Sequence, residues 1–478
     1  MSQDKIIHTV SEILKITDDE ATKILNDSFS QNDPFNYLVD LLGYSNIELI
    51  FDIFKNKDSF KVKELRNDQA VYIEHIIPEC EAIKHSIKLI KTSVLGTDSK
   101  FFAYKQFNPL QSIVFDHIYQ SDENILVSAP TGAGKTDMAL LSILRALKHS
   151  NSQIIYIVPM KALANEIYNK YQKVFSGLIS IIEYTGDTEI DQKTASNARI
   201  IICTPEKYDS STRKLCKVFE SVKLIIIDEI HLLEDDRGPV LESIVSRSFI
   251  LSEMQQSKIR IVGLSATLPN YKDVAEFIKA KHVHFFDSRY RPVPLKMTIT
   301  GFTKISKHND EKEYLREKVQ EYLNQNKQII IFVNSRAKTF KTATFLIENL
   351  PKMKNENSRQ NNLSGELLYL VSNSFGVHNA GLMRKDRLII EDLFKEGKIK
   401  VLVCTSTLAW GVNLPAYAVI INGSTYYNHE KGSFDDISIL DVLQIFGRAG
   451  RPQYDTKGEA IMMTTSDKID KYVGLLKR

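Results

Sequence analysis

Short β-branched runs alternate with longer amphipathic stretches, and they do so in two successive series. From about Phe101 the runs are "ILVS", "IIYIV", "ISIIEY", "RIIICT", "KLIIID" and "RIVGLSAT". Strands this apolar must be buried on both faces, and helix-length segments between them indicate βα units with a covered parallel sheet. A break follows at "DSRYRPVPLKM" (287 to 297), whose two prolines and three basic residues mark a linker. The series then resumes with "QIIIFV", "KVLVCT", "YAVIING" and "AIMMTT". The fold class is therefore α/β, two tandem domains over 101–288 and 289–478. Residues 1–100 show helical periodicity ("VSEILKITDDEATKIL", "NIELIFDIFKNK") and are expected to form a mostly helical extension. The stretch "PKMKNENSRQNNLSG" (351 to 365) is polar and breaker-rich, which predicts a surface loop.

Composition excludes little. The 478 residues are 43% apolar and 25% charged, ordinary for a globular chain. Lys and Arg number 62 against 59 for Asp and Glu, so any nucleic-acid contact needs a local basic groove. Cys80, Cys203, Cys216 and Cys404 form no CxxC pair or metal-ligand spacing, which favours reduced, buried thiols in an intracellular protein. The start, "MSQDKIIHTVSEILK", is no secretory signal, and no run approaches the ~20 apolar residues of a membrane span. A soluble nuclear or cytoplasmic protein with no membrane contact is expected.

The chemistry begins at "APTGAGKT" (129 to 136), where an apolar strand enters a glycine turn that opens a helix. Gly132 and Gly134 allow backbone angles closed to other residues. The N–H groups of Ala129, Thr131, Gly132, Ala133 and Gly134, in a turn that also holds Pro130, and those of the helix start would converge on phosphate oxygens. Lys135 would reach the outer phosphates, and the Thr136 hydroxyl would ligate Mg²⁺. Ala129 stands where the strict pattern has glycine. Downstream, "KLIIIDEIH" (223 to 231) ends an apolar strand in Asp228 and Glu229. Asp228 would hold Mg²⁺ and Glu229 would polarise the attacking water, so ATP with Mg²⁺ is the expected ligand pair. His231 is open between coupling to the second domain and local hydrogen bonding.

In the second half, "QIFGRAGRP" (444 to 452) places Arg448 and Arg451 three apart, on one face if helical, with Gln444 on that face too. A guanidinium facing the γ-phosphate from another domain contributes about 10³–10⁵ in rate. A basic surface helix is the plainer alternative.

The ordered set "FNPLQ", "APTGAGKT", "PMKALANE", "TPEKYD", "DEIH", "SATLPN", "IFVNSR", "TSTLAWGVNLP" and "QIFGRAGRP" resembles superfamily 2 helicases, whose two domains are RecA-like. "DEIH" and "GRAGRP" resemble the Ski2-like branch. "EDDRGPVLESIV", "GLSATLPNYKDVAEFI", "RYRPVPLK" and "KGSFDDISILDVLQIFGRAGRPQYD" are similar to its tandem-cassette group, which holds the spliceosomal Brr2 helicase and the helicase subunit of the activating signal cointegrator complex. "KGSF" and "ILDVLQIFGRAGRP" favour the latter. The resemblance covers roughly residues 100 to 478.

The resemblance implies that Gln111 reads the adenine, with Phe107 packed nearby, and that Ser265 and Thr267 link hydrolysis to strand separation. It assigns Pro159, Lys161, Ala162, Thr204 and Pro205, and with them Arg336 of "IFVNSR", to the nucleic-acid backbone. Thr405, Gly411 and Asn413 divide between backbone and nucleotide. These segments follow apolar strands and so emerge at the carboxyl edge of a parallel sheet, where α/β ligands bind. Their hydroxyls, N–H groups and lysine suit sugar and phosphate, which predicts sequence-independent, salt-sensitive binding. "STYYNHEKGSFDD" (424 to 436) corresponds to the family's strand-separating hairpin. Tyr426 and Tyr427 are open between stacking on an unpaired base and serving as core residues of a turn. Where the family has "HHAG", this chain has "HNAG", with Asn379 in the second position.

The function implied is an ATP-dependent helicase or translocase moving 3′ to 5′ on single strands and unwinding tailed duplexes of RNA or DNA. It further implies a larger repair, ribosome-rescue or splicing assembly. A DEAD-box-like RNA clamp without translocation, or an idle scaffold, are the alternatives; "DEIH" and the 424–436 insertion disfavour the first, the intact catalytic set the second. The family continues into winged-helix and ratchet domains, whereas this sequence stops at Arg478. Sustained unwinding is therefore not expected of this stretch alone.

Overall fold

The computed structural model describes the chain except residues 1–2, 15–20, 22–23, 26–27, 29–33, 44–45, 56–70, 81–86, 149–151, 187–191, 215–220, 235–236, 269, 304–307, 352–362, 364, 407, 409–413, 429–430, 453 and 477–478. The expected surface loop at 351–365 falls almost wholly outside the described residues, as does Cys216. Two compact units are present, Met1–Val71 and Tyr72–Arg478. In the first, helices Gln3–Leu14, Pro34–Leu42 and Ile47–Lys55 bury Ile6, Val10, Leu38, Leu42, Ile50 and Ile53 in a small core of its own.

The second unit opens with an element that the helical expectation for residues 1–100 missed, the strand β1 (Tyr72–Ile77). Its residues alternate between exposed and partly buried, the pattern of an edge strand. The first RecA-like lobe then contributes β2 (Ile125–Ser128), β3 (Gln153–Ile157), β4 (Ile181–Tyr184), β5 (Ile200–Cys203), β6 (Val222–Ile227), β7 (Arg260–Ser265) and β8 (His282–Phe285). These form one parallel sheet in the order β4-β5-β3-β6-β7-β2-β8. Along β3, Ile154 and Tyr156 enter one core while Ile155 and Ile157 enter another. Helices on both faces make both cores, which is why the strand sequences carry no polar face.

The second lobe contributes β9 (Leu295–Phe302), β10 (Ile329–Val333), β11 (Phe375–His378), β12 (Val401–Cys404), β13 (Ala418–Asn422), β14 (Thr425–Asn428), β15 (Ser433–Asp436) and β16 (Gly458–Thr465). Its main sheet runs β1-β9-β16-β13-β10-β12-β11, all parallel except β1. Six residues of β1 pair antiparallel with β9, from Tyr72 opposite Phe302 to Ile77 opposite Met297. Side chains lock this register. Tyr72 meets Tyr314 edge to face at 5.0 Å, and the Tyr314 hydroxyl donates to Glu74 at 2.6 Å. The chain thus touches the second lobe before it builds the first.

Strands β14 and β15 form a separate antiparallel hairpin, with Tyr427 opposite Phe434. Two lysines anchor its base: Lys468 and Lys471 each donate to Asp436 at 2.6 Å. Among the described residues, no helix is long and apolar enough to cross a membrane. Cys203 and Cys404 are buried, Cys80 exposed, and none of these three is in a disulfide.

Candidate active site between two lobes

The glycine turn leaves β2 and opens the helix Lys135–Leu147. Gly134, the residue before that helix, has φ +89°, and a Cβ there would lie 2.5 Å from the Gln111 amide nitrogen. Only glycine fits. The turn is braced from behind by "FNPLQ": the Asn108 side chain donates to the Ala133 carbonyl at 3.0 Å and accepts from the Gln111 N–H at 2.8 Å. Asn108 also caps the helix Pro109–Phe115, which has proline in its first position. Lys135 Nζ donates to the Ala129 carbonyl at 2.8 Å and the Pro130 carbonyl at 3.4 Å, so its ammonium lies within the turn.

Asp228 and Glu229 follow β6. The Tyr156 hydroxyl donates to Asp228 at 3.0 Å, and the Glu229 N–H donates to its other oxygen at 3.1 Å. Burial, reinforced by the Glu229 charge, raises the Asp228 pKa, while Lys135 opposes this. For Glu229 burial also acts upward, but His231, Lys135, Gln444 and Arg448 together outweigh it and hold the carboxylate below its ordinary range. Glu229 has φ +54°, a left-handed conformation costly for a residue with a side chain. Such strain is found where a side chain must be aimed.

His231 is 1% exposed. Its Nδ1 lies 3.4 Å from Glu229 Oε2, 3.3 Å from Ser265 Oγ and 3.4 Å from the Ala266 nitrogen. It joins "DEIH" to "SAT" within the first lobe, and each of these partners belongs to that lobe. Thr267 donates to the Phe286 carbonyl at 3.4 Å, where the chain leaves for the second lobe.

The second lobe supplies the opposite wall. Its helix Ile439–Phe446 starts at Ser438, whose hydroxyl accepts from the Asp441 N–H, and it buries Gln444. One cavity of about 450 Å³ is lined by Thr131, Gly132, Gly134, Lys135, Thr136, Asp228 and Glu229 from one lobe and by Gln444, Gly447 and Arg448 from the other. Glu166 and Lys170 of the helix Lys161–Phe175 close its side. Burial raises the Glu166 pKa against the pull of Arg448. The lobes touch at Gly447, where a Cβ would stand 2.7 Å from Thr131 Oγ1 and 2.8 Å from Thr131 Cβ.

Two sequence expectations need correction, those for Arg451 and Phe107, while Gln111 is placed beside the phosphate turn. Arg451 does not share a helical face with Arg448: the helix ends at Phe446, and Gly450 at φ +84° turns the chain. Its guanidinium instead grips Asp455 at 2.8 and 3.1 Å and donates to Gln328 at 2.7 Å, and it does not line the cavity. Gln111 is 3% exposed; its carbonyl accepts from the Asn108 N–H and its amide reaches the Gly134 carbonyl, so it supports the turn from behind. Phe107 is a core residue, 5.3 Å from Phe102, and does not line the cavity. In each case the side chain found a partner within its own lobe.

The remaining expected residues lie outside strand carboxyl ends. Pro159 is buried, with Lys161 and Ala162 exposed at a helix start; Thr204 and Pro205 follow β5, Arg336 follows β10, and Thr405 follows β12. Tyr426 and Tyr427 are 41% and 46% exposed on the hairpin, which disposes of the core alternative. Gly411 and Asn413 lie outside the described residues. Asn379 is buried, donating to Thr339 at 3.0 Å and accepting from the Gly381 N–H at 2.9 Å, so it holds a turn together. Sequence reasoning missed Tyr156, Glu166 and Asn108; an asparagine before proline at a helix start was the legible signal for the last.

Two RecA-like lobes sharing a phosphate turn and a facing arginine define a P-loop ATPase core. The DEAD/DEAH box helicase family matches residues 108–275, and the helicase conserved C-terminal domain matches residues 313–453. Activating signal cointegrator 1 complex subunit 3 of Dictyostelium discoideum is 46% identical over 79% of this chain and 18% of its own length. The Homo sapiens subunit is 41% identical over 86% of this chain and 20% of its own. The DExH-box ATP-dependent RNA helicase DExH14 of Arabidopsis thaliana is 42% identical over 85% of this chain and 20% of its own. A crystal structure of DUF1998 helicase MrfA bound to DNA and AMPPNP is 22% identical, with TM-score 0.64 over 87% of this chain and 57% of that one, and shares the fold. The chain belongs to the Ski2-like DExH helicases, in the group of activating signal cointegrator 1 complex subunit 3. It spans about a fifth of the length of these curated relatives.

Proposed function

We propose that this core couples ATP hydrolysis to 3′-to-5′ movement along single-stranded nucleic acid, and so to opening tailed duplexes. The observation that supports it most is the cavity itself: Lys135, Asp228 and Glu229 face Gln444 and Arg448 across about 450 Å³. That size lies within the ~300–1,000 Å³ of ligand clefts. Lys135 leaves the Ala129 and Pro130 carbonyls for the outer phosphates. Thr136 and Asp228, a hydroxyl and a carboxylate on one wall, have the donor chemistry for Mg²⁺, which when bound offsets phosphate charge. Glu229, kept ionised by its neighbours, orients the attacking water, and Arg448 meets the charge that develops on the γ-phosphate. Loss of that phosphate removes the link across the lobes, which then part.

Lys161, Thr204, Arg336 and Thr405 supply contacts to phosphate and sugar at the carboxyl edges of both sheets. Tyr426 and Tyr427 present aromatic faces to a base at the fork. The anchored hairpin favours unwinding over clamping. The relatives' names support one statement on partners, membership of a larger assembly as one of its subunits. The test is strand displacement on duplexes of RNA and DNA with 3′ or 5′ tails, with ATP turnover recorded in parallel. Displacement should need the 3′ tail and rise in rate with ATP. Turnover indifferent to nucleic acid, or displacement without tail preference, would remove the translocase reading.

A further inference from the structure

We propose that Arg291 is a positioning residue: it fastens the crossing between the lobes to the turn that carries Arg448, so that lobe closure sets the arginine. This rests on Arg448 acting at the γ-phosphate. The helix Ile439–Phe446 ends just before that arginine and leaves carbonyls without helical partners. Arg291 supplies further donors there, in addition to the Ala449 N–H that already reaches the Phe446 carbonyl at 3.1 Å. Its Nη2 donates to the carbonyls of Phe446 at 3.2 Å, Gly447 at 3.2 Å and Ala449 at 2.6 Å, so both neighbours of Arg448 are held. Its Nε donates to the Val293 carbonyl at 3.0 Å, which fixes the guanidinium to its own segment. Burial draws its pKa down to about 10, so it remains charged at neutral pH.

The crossing is itself held at both ends. On the first lobe the Phe286 N–H donates to the Ser128 carbonyl at 2.8 Å, in the strand that feeds the phosphate turn. Thr267 of "SAT" reaches the Phe286 carbonyl, and Tyr290 packs edge to face on Phe286 at 4.9 Å. On the second lobe the Gly458 N–H donates to the Pro294 carbonyl at 2.8 Å, and Val293 packs against Gly450 so closely that a Cβ there would stand 2.6 Å from Val293 Cγ1. Between these anchors, Arg291 is the side chain that reaches the arginine turn. A rotation of one lobe on the other passes through this segment, and Arg448 moves with it. Arg291 also lines the cavity wall, but its Nε and Nη2 are engaged with backbone carbonyls, which is the geometry of positioning.

The test uses the full chain with R291A, R291K, R448A and the double variant R291A/R448A. R291A should lower kcat about 10²-fold, the scale of a 1 Å misplacement, with the Kd for a fluorescent ATP analogue little changed. R291K keeps the charge but loses the planar fork, and should be nearly as slow. Millimolar methylguanidinium should restore part of the R291A rate. The double variant should be no slower than R448A, since both changes disable one group. R448A inactive beside fully active R291A overturns this inference and leaves the arginine reading standing. R448A as active as the parent instead overturns the arginine reading. R291A that loses folded protein in thermal melts, with normal kcat per folded molecule and no methylguanidinium rescue, assigns Arg291 a purely structural role and overturns the proposal.

Discussion

Gly447 offers the sharpest test of lobe closure, because its backbone has no need of glycine. Its φ is −57° and ψ −23°, ordinary helical values. Alanine there costs the second lobe no backbone strain, and by restricting the unfolded chain it contributes about 0.4–1 kcal/mol of stability. Between the lobes the outcome is different. The added Cβ would lie 2.7 Å from Thr131 Oγ1 and 2.8 Å from Thr131 Cβ, whereas within its own lobe the nearest atom is the Gln444 carbonyl at 3.0 Å. Ordinary carbon contacts sit at about 3.5–4.0 Å, so the lobes must separate by roughly 0.7–1 Å or Thr131 must move. Overpacking of this kind costs about 1–3 kcal/mol. At 1.4 kcal/mol per tenfold, G447A should depopulate the closed state about 5- to 150-fold, with a matching fall in kcat. Steady-state ATP turnover with saturating single-stranded nucleic acid measures the rate, and energy transfer between dyes on the two lobes measures closure. The melting temperature should stay level or rise slightly. Turnover of G447A within twofold of the parent, with unaltered energy transfer, would refute the claim that this contact belongs to the working state.

Glu229→Gln keeps the shape but loses the charge that polarises water, so ATP binding should persist and turnover fall by orders of magnitude; analogue titration beside phosphate release separates the two. Arg451→Ala strands a carboxylate, Asp455, that is 0% exposed. The loss should be about 3 kcal/mol, at the low end for a broken buried pair because Lys327 remains 3.3 Å away, and it is read as a fall in the urea midpoint that R448A does not show. His284 provides a pH dependence: burial, then the charges of His117 and His282, lower its pKa to about 4. The folded lobe keeps this imidazole neutral while the unfolded chain protonates it near pH 6.5, so stability should fall as pH drops from 7 toward 4. Urea unfolding at pH 7 and pH 5 should show this, and H284Q should narrow the difference; an equal pH slope in both proteins would discount the histidine.

The sheets were legible because both faces of each central strand are covered, which forces unbroken apolar runs that few other elements share. Beyond those strands, "APTGAGKT" and "DEIH" were readable too, since each couples a strand end to a fixed chemical demand. Strand β1 was not: six residues, "YIEHII", without a clean polar–apolar alternation carry little signal when the partner strand is remote and one face meets solvent. Arg451 was misread for a local reason. Asp455 lies four residues on, and the glycine turn that brings them together decides the partner, while spacing alone suggested a shared helical face. Arg291 looked like one basic residue in a proline-rich break; the carbonyls it holds are about 155 residues away and become neighbours only when the second lobe is complete.

Strand β1 also sets a schedule for synthesis on the ribosome. Its partner β9 is translated about 220 residues later, after the whole first lobe. At roughly 5–20 residues per second the nascent strand waits on the order of 10–40 s, with Tyr72, Ile73, Ile76 and Ile77 offering unsatisfied hydrogen-bonding groups to any passing β-edge. The second lobe cannot reach its final width until this early-made piece is recovered. A nascent chain of this protein is therefore most exposed to chaperone capture, or to misassembly, while its first half is already native.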